Sequence, residues 1–144
     1  MESQKTFAKH SISCSAAQRM ISAAEQKARE LGLQIATAVV DESGVLKAFS
    51  RMDGAPLVSV GVALKKGVTA VGLGIPTGKP WHDFVKDDPI LLHGISSIDQ
   101  FTMFGGGFPL KSDGHLVGAI GVSGGHYSQD EECARAGLAA AELD

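Results

Sequence analysis

Val40-Asp41-Glu42-Ser43-Gly44-Val45-Leu46 and Gly118-Ala119-Ile120-Gly121-Val122-Ser123-Gly124-Gly125 are the stretches that decide the fold. In the first, apolar residues stand on both sides of a four-residue turn. An aspartate can bond the backbone of its own turn, and a glycine accepts a positive φ, so the stretch predicts a β-hairpin. In the second, an apolar run punctuated by glycine predicts a buried strand that ends in a flexible elbow. Together they predict a small antiparallel sheet with a cleft at one end.

Upstream of the hairpin, Ser15-Ala16-Ala17-Gln18 has the spacing of a capping box. Ala17, Met20, Ile21, Ala24, Ala28 and Leu31 then share one helical stripe, and Gly32 ends it. Residues 33–41 and 45–52 read as the paired strands, broken by Asp53-Gly54-Ala55-Pro56. Residues 57–72 predict a second helix, apolar all round and buried on more than one side. That excess predicts subunit contacts on this helix or on the sheet. Residues 73–100 contain Pro76, Pro80 and Pro89, which forbid one long helix. A connection this long predicts a functional or interface loop. Residues 100–104 and 108–111 flank the cluster Gly105-Gly106-Gly107, and Ser112-Asp113-Gly114 turns into a strand over 115–123. Ser128-Gln129-Asp130-Glu131 reads as a second capping box opening a helix to Leu143. The order is α-β-β-α-loop-β-β-α, with room for one further short strand, and it predicts an α+β domain of two or three layers.

A chain of 144 residues fits one domain over 1–144, with 1–12 as a flexible N-terminal tail. The net charge of −3 is interspersed, which argues against a nucleic-acid partner. No apolar run approaches the roughly 20 residues that span a bilayer. Met1-Glu2-Ser3-Gln4-Lys5 lacks the apolar core of a secretory signal, so the expected location is cytoplasmic. Cys14 and Cys133 form no C-x-x-C pair and read as reduced thiols, with a disulfide or thiolate ligation as the minor alternative. The 18 glycines cluster at element ends, which marks tight turns and close backbone approach rather than disorder.

Six blocks occur in order and carry a family resemblance. They are Ala38-Val39-Val40-Asp41-x-x-Gly44, Arg51-Met52-Asp53-Gly54-Ala55, Ala63-Leu64-Lys65-Lys66-x-x-Thr69-Ala70, Gly105-Gly106-Gly107-x-Pro109, Gly118 through Gly125, and Gln129-Asp130-Glu131. The chain resembles the GlcG/HbpS family of small haem-binding-type proteins over roughly residues 13–142. It is also similar to the C-terminal domain of PduO-type cobalamin adenosyltransferases. The resemblance implies a profilin-like α+β fold, with a five-stranded antiparallel sheet flanked by helices. It implies a homo-oligomer, from tetramer to octamer. Some relatives bind haem or are linked to corrinoid metabolism; others sit in catabolic operons. The adenosyltransferase domain of the PduO type has no counterpart in these residues, so adenosyl transfer is not expected of them.

Five histidines supply the candidate ligands: His10, His82, His93, His115 and His126. His126 follows the Gly124-Gly125 elbow at a predicted sheet end. His82 and His93 lie in the long loop beside Trp81, where an aromatic and two imidazoles can line a pocket. None has metal-site spacing, so no metal centre is expected. Haem requires an axial nitrogen or sulfur ligand, an apolar slot and cations for its propionates. The resemblance points to the N-terminal region for that ligand, hence to His10. Arg51, Lys65 and Lys66 are the cations, with a solvated helix face as the plainer reading of the two lysines. Gly124 and Gly125 can offer a backbone amide nest to an anion.

Three functions follow. The first is a homo-oligomer that binds haem or a related tetrapyrrole. The second is a cofactor-independent isomerase, tautomerase or hydrolase acting on a small organic acid. There His82 or His126 is the base, Asp83 or Asp130 orients it, and Arg51 holds the substrate carboxylate. The third is a structural or regulatory oligomer. Gly121-Val122-Ser123-Gly124-Gly125 departs from the G-x-S-x-G elbow, so Ser123 is not expected to be a nucleophile.

Overall fold

The computed structural model describes residues 4–141. Its elements are α1 (Cys14–Leu31), β1 (Ala36–Asp41), β2 (Leu46–Arg51), α2 (Ser59–Leu73), α3 (Lys79–Val85) and α4 (Pro89–Gly94). A 3-10 turn (Ile95–Ser97), β3 (Gly107–Ser112), β4 (His115–Ser123) and α5 (Tyr127–Ala141) complete the order. The sheet is antiparallel, in the order β2-β1-β4-β3.

Strand alternation splits the core into two layers. Val39, Ile120 and Val122 pack against α1 and α5, around Met20, Ala24 and Ala134. Val40 and Ala119 pack against Ala70 and Val71 of α2, and Ala36 and Ala38 against Ala63. The α2 face is built from small residues because the helix lies almost on the strands. A Cβ on Gly121 would stand 2.1 Å from the Ala63 carbonyl oxygen and 2.6 Å from the Gly67 nitrogen. The apolar stripe expected of α1 is the buried one, and Gly32 closes the helix at φ 72, donating to Ala28 O and Arg29 O. The first hairpin turns as expected: Asp41 Oδ1 accepts the Ser43 and Val45 amides at 2.8 and 3.1 Å, and Gly44 has φ 78.

The sheet has four strands among the described residues, not the five that the resemblance implies. Residues 100–104 do not pair because their backbone groups are taken elsewhere. Thr69 Oγ1 donates to Gln100 O at 3.2 Å and accepts the Thr102 amide at 3.0 Å. Met103 O accepts from the Gly78 amide at 2.7 Å. Gln100 itself stands at φ 66, outside strand conformation.

Three other expectations shift. Residues 73–100 hold no long helix, as expected, but they are not one loop either: Pro80 and Pro89 occupy the first turns of the short helices α3 and α4, where no amide hydrogen is needed. The cap of α1 is Ser13, whose Oγ accepts the Ala16 amide at 3.1 Å, and not Ser15. The cap of α5 is His126: its Nδ1 accepts the Ser128 amide at 3.2 Å, and Gln129 Oε1 accepts the His126 amide at 3.1 Å. The capping box therefore lies two residues upstream of Ser128, and Asp130 is left free to turn inward.

The approach to α1 is anchored on β4. The register of β3 with β4 shifts between Leu110 and Lys111, so Val117 has no opposite residue, and β1 pairs no further than Gly118. The free Val117 carbonyl accepts the Ile12 amide at 3.0 Å, and the Ile12 side chain is buried in the main core. The helix of 57–72 appears as α2, with its apolar excess directed largely into the sheet.

Candidate functional site

The Ile12–Val117 bond fixes where His10 falls. Residues 10–12 run beside residues 115–117, and the rings of His10 and His115 meet with centroids 4.4 Å apart at 33°. Both imidazoles line a cleft of about 380 Å³ whose apolar wall includes Ile12, Leu110 and Val117, with Lys111 and Asp113 also lining it. The bulge, at Val117 of β4, thus shapes this site by leaving the Val117 carbonyl free for the Ile12 amide.

His82 lies in a different cleft, of about 290 Å³, with Lys79, Met103, Phe104, Gly105 and Tyr127. The Tyr127 ring meets that of His126 at 4.2 Å, but His126 itself does not line this cleft, so the two predicted catalytic histidines are not brought together. Asp83 does not orient His82. Its carboxylate is held by Lys79 at 2.6 Å and Lys86 at 3.5 Å, and the Lys79 hydrogen bond lowers its pKa. His126 Nδ1 is engaged with Ser128 in the helix cap.

The remaining predicted residues are dispersed. Trp81 is buried, edge-on to Phe84 and Phe101. Arg51 ends the edge strand β2 in a groove with Glu25 and Arg29, across the sheet from the His10–His115 cleft. Lys65 is exposed on α2, and His93 is exposed near the end of α4. Gly124 lies against residues 34 and 35, where a Cβ would meet Gln34 O at 2.4 Å. Gly125 does offer its amide to an anion, but the anion is the chain's own Asp130, at 2.9 Å.

Asp130 leads to a centre that sequence reasoning missed. Lys66 Nζ donates to Asp130 Oδ2 at 2.9 Å and to Val122 O at 2.8 Å, with both side chains 2% exposed. Burial pulls the lysine's pKa below its ordinary value, and the carboxylate of Asp130 opposes that pull. Two of the three clustered glycines, Gly106 and Gly107, lie against Lys66, while Gly105 lies against Glu131. A Cβ on Gly106 would stand 3.0 Å from Lys66 Nζ, and one on Gly107 would stand 2.3 Å from Lys66 O. Lys66 was expected to meet a ligand carboxylate; it meets a carboxylate of the fold. The sequence signal was its place among Ala63, Gly67 and Ala70 on the buried face of α2. His115 and Lys111 were missed as a site because only the packing of residues 10–12 brings His10 to them.

No group of three or more His, Cys, Asp or Glu side chains suited to a metal ion occurs among the described residues. None of their helices is long and apolar enough to cross a membrane.

The family model described as haem degrading protein HbpS-like matches residues 12–139. The chain belongs to the HbpS-like family. Among the relatives of this HbpS-like chain is the corrinoid adenosyltransferase PduO of Salmonella typhimurium, 36% identical over 122 residues. That match covers 82% of this chain and 35% of PduO, so the HbpS-like chain corresponds to about a third of that relative. Klebsiella pneumoniae protein ORFY has the same fold, with a TM-score of 0.90 and 30% identity, covering 100% of this chain and 99% of ORFY. The structure of a PduOC–haem complex superposes with a TM-score of 0.79 at 32% identity, covering 90% of this chain and 94% of that one.

Proposed function

We propose that this HbpS-like chain binds haem or a related tetrapyrrole in the His10–His115 cleft. The observation that carries the reading is the meeting of two imidazoles at 4.4 Å over an apolar wall. The cleft holds each kind of group that haem needs: a nitrogen ligand in His10 or His115, apolar surface in Ile12, Leu110 and Val117, and a cation in Lys111. A bound haem would supply an iron centre with an open or exchangeable position. The chain's own residues would orient the ring, hold its carboxylates and exclude water from one face. Lys111, rather than Arg51 or Lys65, is the propionate partner that this cleft offers. The similarity to PduOC, whose structure is a haem complex, supports the same ligand.

The test is a haem titration of the apo-protein followed by absorbance. A saturable Soret shift in the wild type, lost or displaced in His10→Ala, is the expected result. Unsaturable binding that is unchanged in the variant would contradict it. Self-association into a tetramer, hexamer or octamer belongs to the same proposal. Leu57 and Val58, 86% and 69% exposed, support it as apolar surface in need of cover. Light scattering at micromolar concentration is the check, and a monomer counts against it.

The His82 cleft supports a second reading, a cofactor-independent isomerase, tautomerase or hydrolase of a small organic acid. His82 is its base, and Lys79, rather than Arg51, is the carboxylate partner within reach of the cleft. Turnover of a small unsaturated acid, abolished in His82→Ala with folding intact, would move the assignment to this site.

A further inference from the structure

His10 is flanked by two residues that face away from its cleft. The His10 ring meets His115, and the Ile12 side chain is buried in the main core, so residues 10 and 12 face β4. Lys9 and Ser11 face the turn between β1 and β2 instead. Lys9 Nζ lies 3.5 Å from Glu42 Oε1 and donates to Ser43 Oγ at 3.2 Å. The Ser11 hydroxyl, with Lys9 adding to it, holds the Glu42 carboxyl below its ordinary range. The residues on both sides of His10 therefore meet one carboxylate.

The turn does not need that carboxylate for its own shape. Asp41 Oδ1 accepts the Ser43 and Val45 amides, and Gly44 supplies the positive φ. Neither Glu42 nor Lys9 lines the His10–His115 cleft. The Glu42 side chain is only 16% exposed, which makes its ion pair stronger than one in open water. The backbone offers little else to fix His10: no backbone group of residues 9–11 is bonded to another among the described residues, and the nearest such bond is that of Ile12 to Val117 O.

We propose that Glu42 is a positioning residue of the haem cleft, which from outside it clamps Lys9 and Ser11 to the β1–β2 turn and so aims the imidazole between them at His115. Its purpose rests on the haem reading; its geometry does not. With both neighbours of His10 gripped on one side, the histidine side chain is directed to the other, where β4 lies.

The chain has five histidines, so the imidazole ring protons give five sets of NMR signals in the apo-protein. Rings 4.4 Å apart shift one another's signals, and His115→Ala shows where the His10 signals fall once the contact is lost. Glu42→Ala is expected to move the His10 signals most of the way there, with those of His82, His93 and His126 unmoved as the sign of an intact fold. Lys9→Met combined with Ser11→Ala releases the clamp from the other side and is expected to do the same. In haem titration, Glu42→Ala is expected to weaken binding about threefold, the worth of one partly exposed ion pair, and to weaken it no further in a chain that already carries His10→Ala. His10 signals that stay in place in both clamp variants overturn the proposal. So does haem binding that Glu42→Ala leaves unchanged, or weakens equally with and without His10. Movement of the His10 signals in a protein that takes up no haem upholds the clamp and overturns the haem reading alone.

Discussion

Lys66 and Asp130 are 64 residues apart in sequence and 2.9 Å apart in space, and they tie α2 to α5 behind β4. Each is satisfied a second time by backbone, Lys66 by Val122 O and Asp130 by the Gly125 amide. A buried ion pair with its remaining bonds made is costly to break singly. Asp130→Ala leaves a buried ammonium with one carbonyl, and Lys66→Met leaves a buried carboxylate with one amide. Each is expected to lose about 3–5 kcal/mol in denaturant unfolding, with the double variant losing less than the sum. Losses below about 1 kcal/mol would show that the pair is dispensable.

Cys133 gives the pH dependence. It is fully buried, and burial, with Asp130 and Glu132 adding to it, pushes its thiol from 9.0 up to about 11. The folded state thus keeps the proton that the unfolded chain releases. Its contribution is full below pH 9 and is lost as pH rises from 9 to about 11, by roughly 2–3 kcal/mol. Lys66, with a lowered pKa, works in the opposite sense, gaining stability as pH rises toward the ordinary lysine value. Comparing the wild type with Cys133→Ala isolates the thiol: the variant's stability should fall less across that window. Parallel curves would contradict the assignment.

Glycines in the same layer should differ in sign. Gly121→Ala drives a methyl into the Ala63 carbonyl at 2.1 Å and should cost roughly 3 kcal/mol or more. Gly61→Ala, on α2 with nothing within 4 Å, should stabilise by about 0.5–1 kcal/mol through helix propensity. Thermal unfolding of the two variants reads both.

The cap of α1 is tested by a pair of serines. Ser13→Ala removes the acceptor of the Ala16 amide and should cost about 1 kcal/mol. Ser15→Ala, one residue inside the helix start at Cys14, should be near neutral. Equal effects would place the cap elsewhere.

What the sequence could disclose was local. The Asp41–Gly44 turn, the stripe of α1 and the strand 115–123 rest on contacts within a few residues, and each appears in the fold. The fifth strand failed because Thr69, some thirty residues upstream, takes the backbone bonds of residues 100–102. The site was legible only in pieces. The resemblance pointed to His10 as a candidate, but its neighbour His115 depends on a free carbonyl at a bulge. Arg51 was grouped with His10 by residue type, and the sheet order holds the two apart. Lys66 carried a visible signal, a charge within a buried stripe, yet its partner lies in α5, beyond the long loop and both strands β3 and β4.

The measurement that tests the central claim most directly is haem titration, followed at the Soret band, of the wild type, His10→Ala, His115→Ala and His82→Ala side by side. Binding at the His10–His115 cleft predicts saturable uptake by the wild type and His82→Ala, with weakened affinity and a shifted Soret band in His10→Ala or His115→Ala. Uptake that survives both of those changes and is lost in His82→Ala would contradict it and place the ligand in the other cleft.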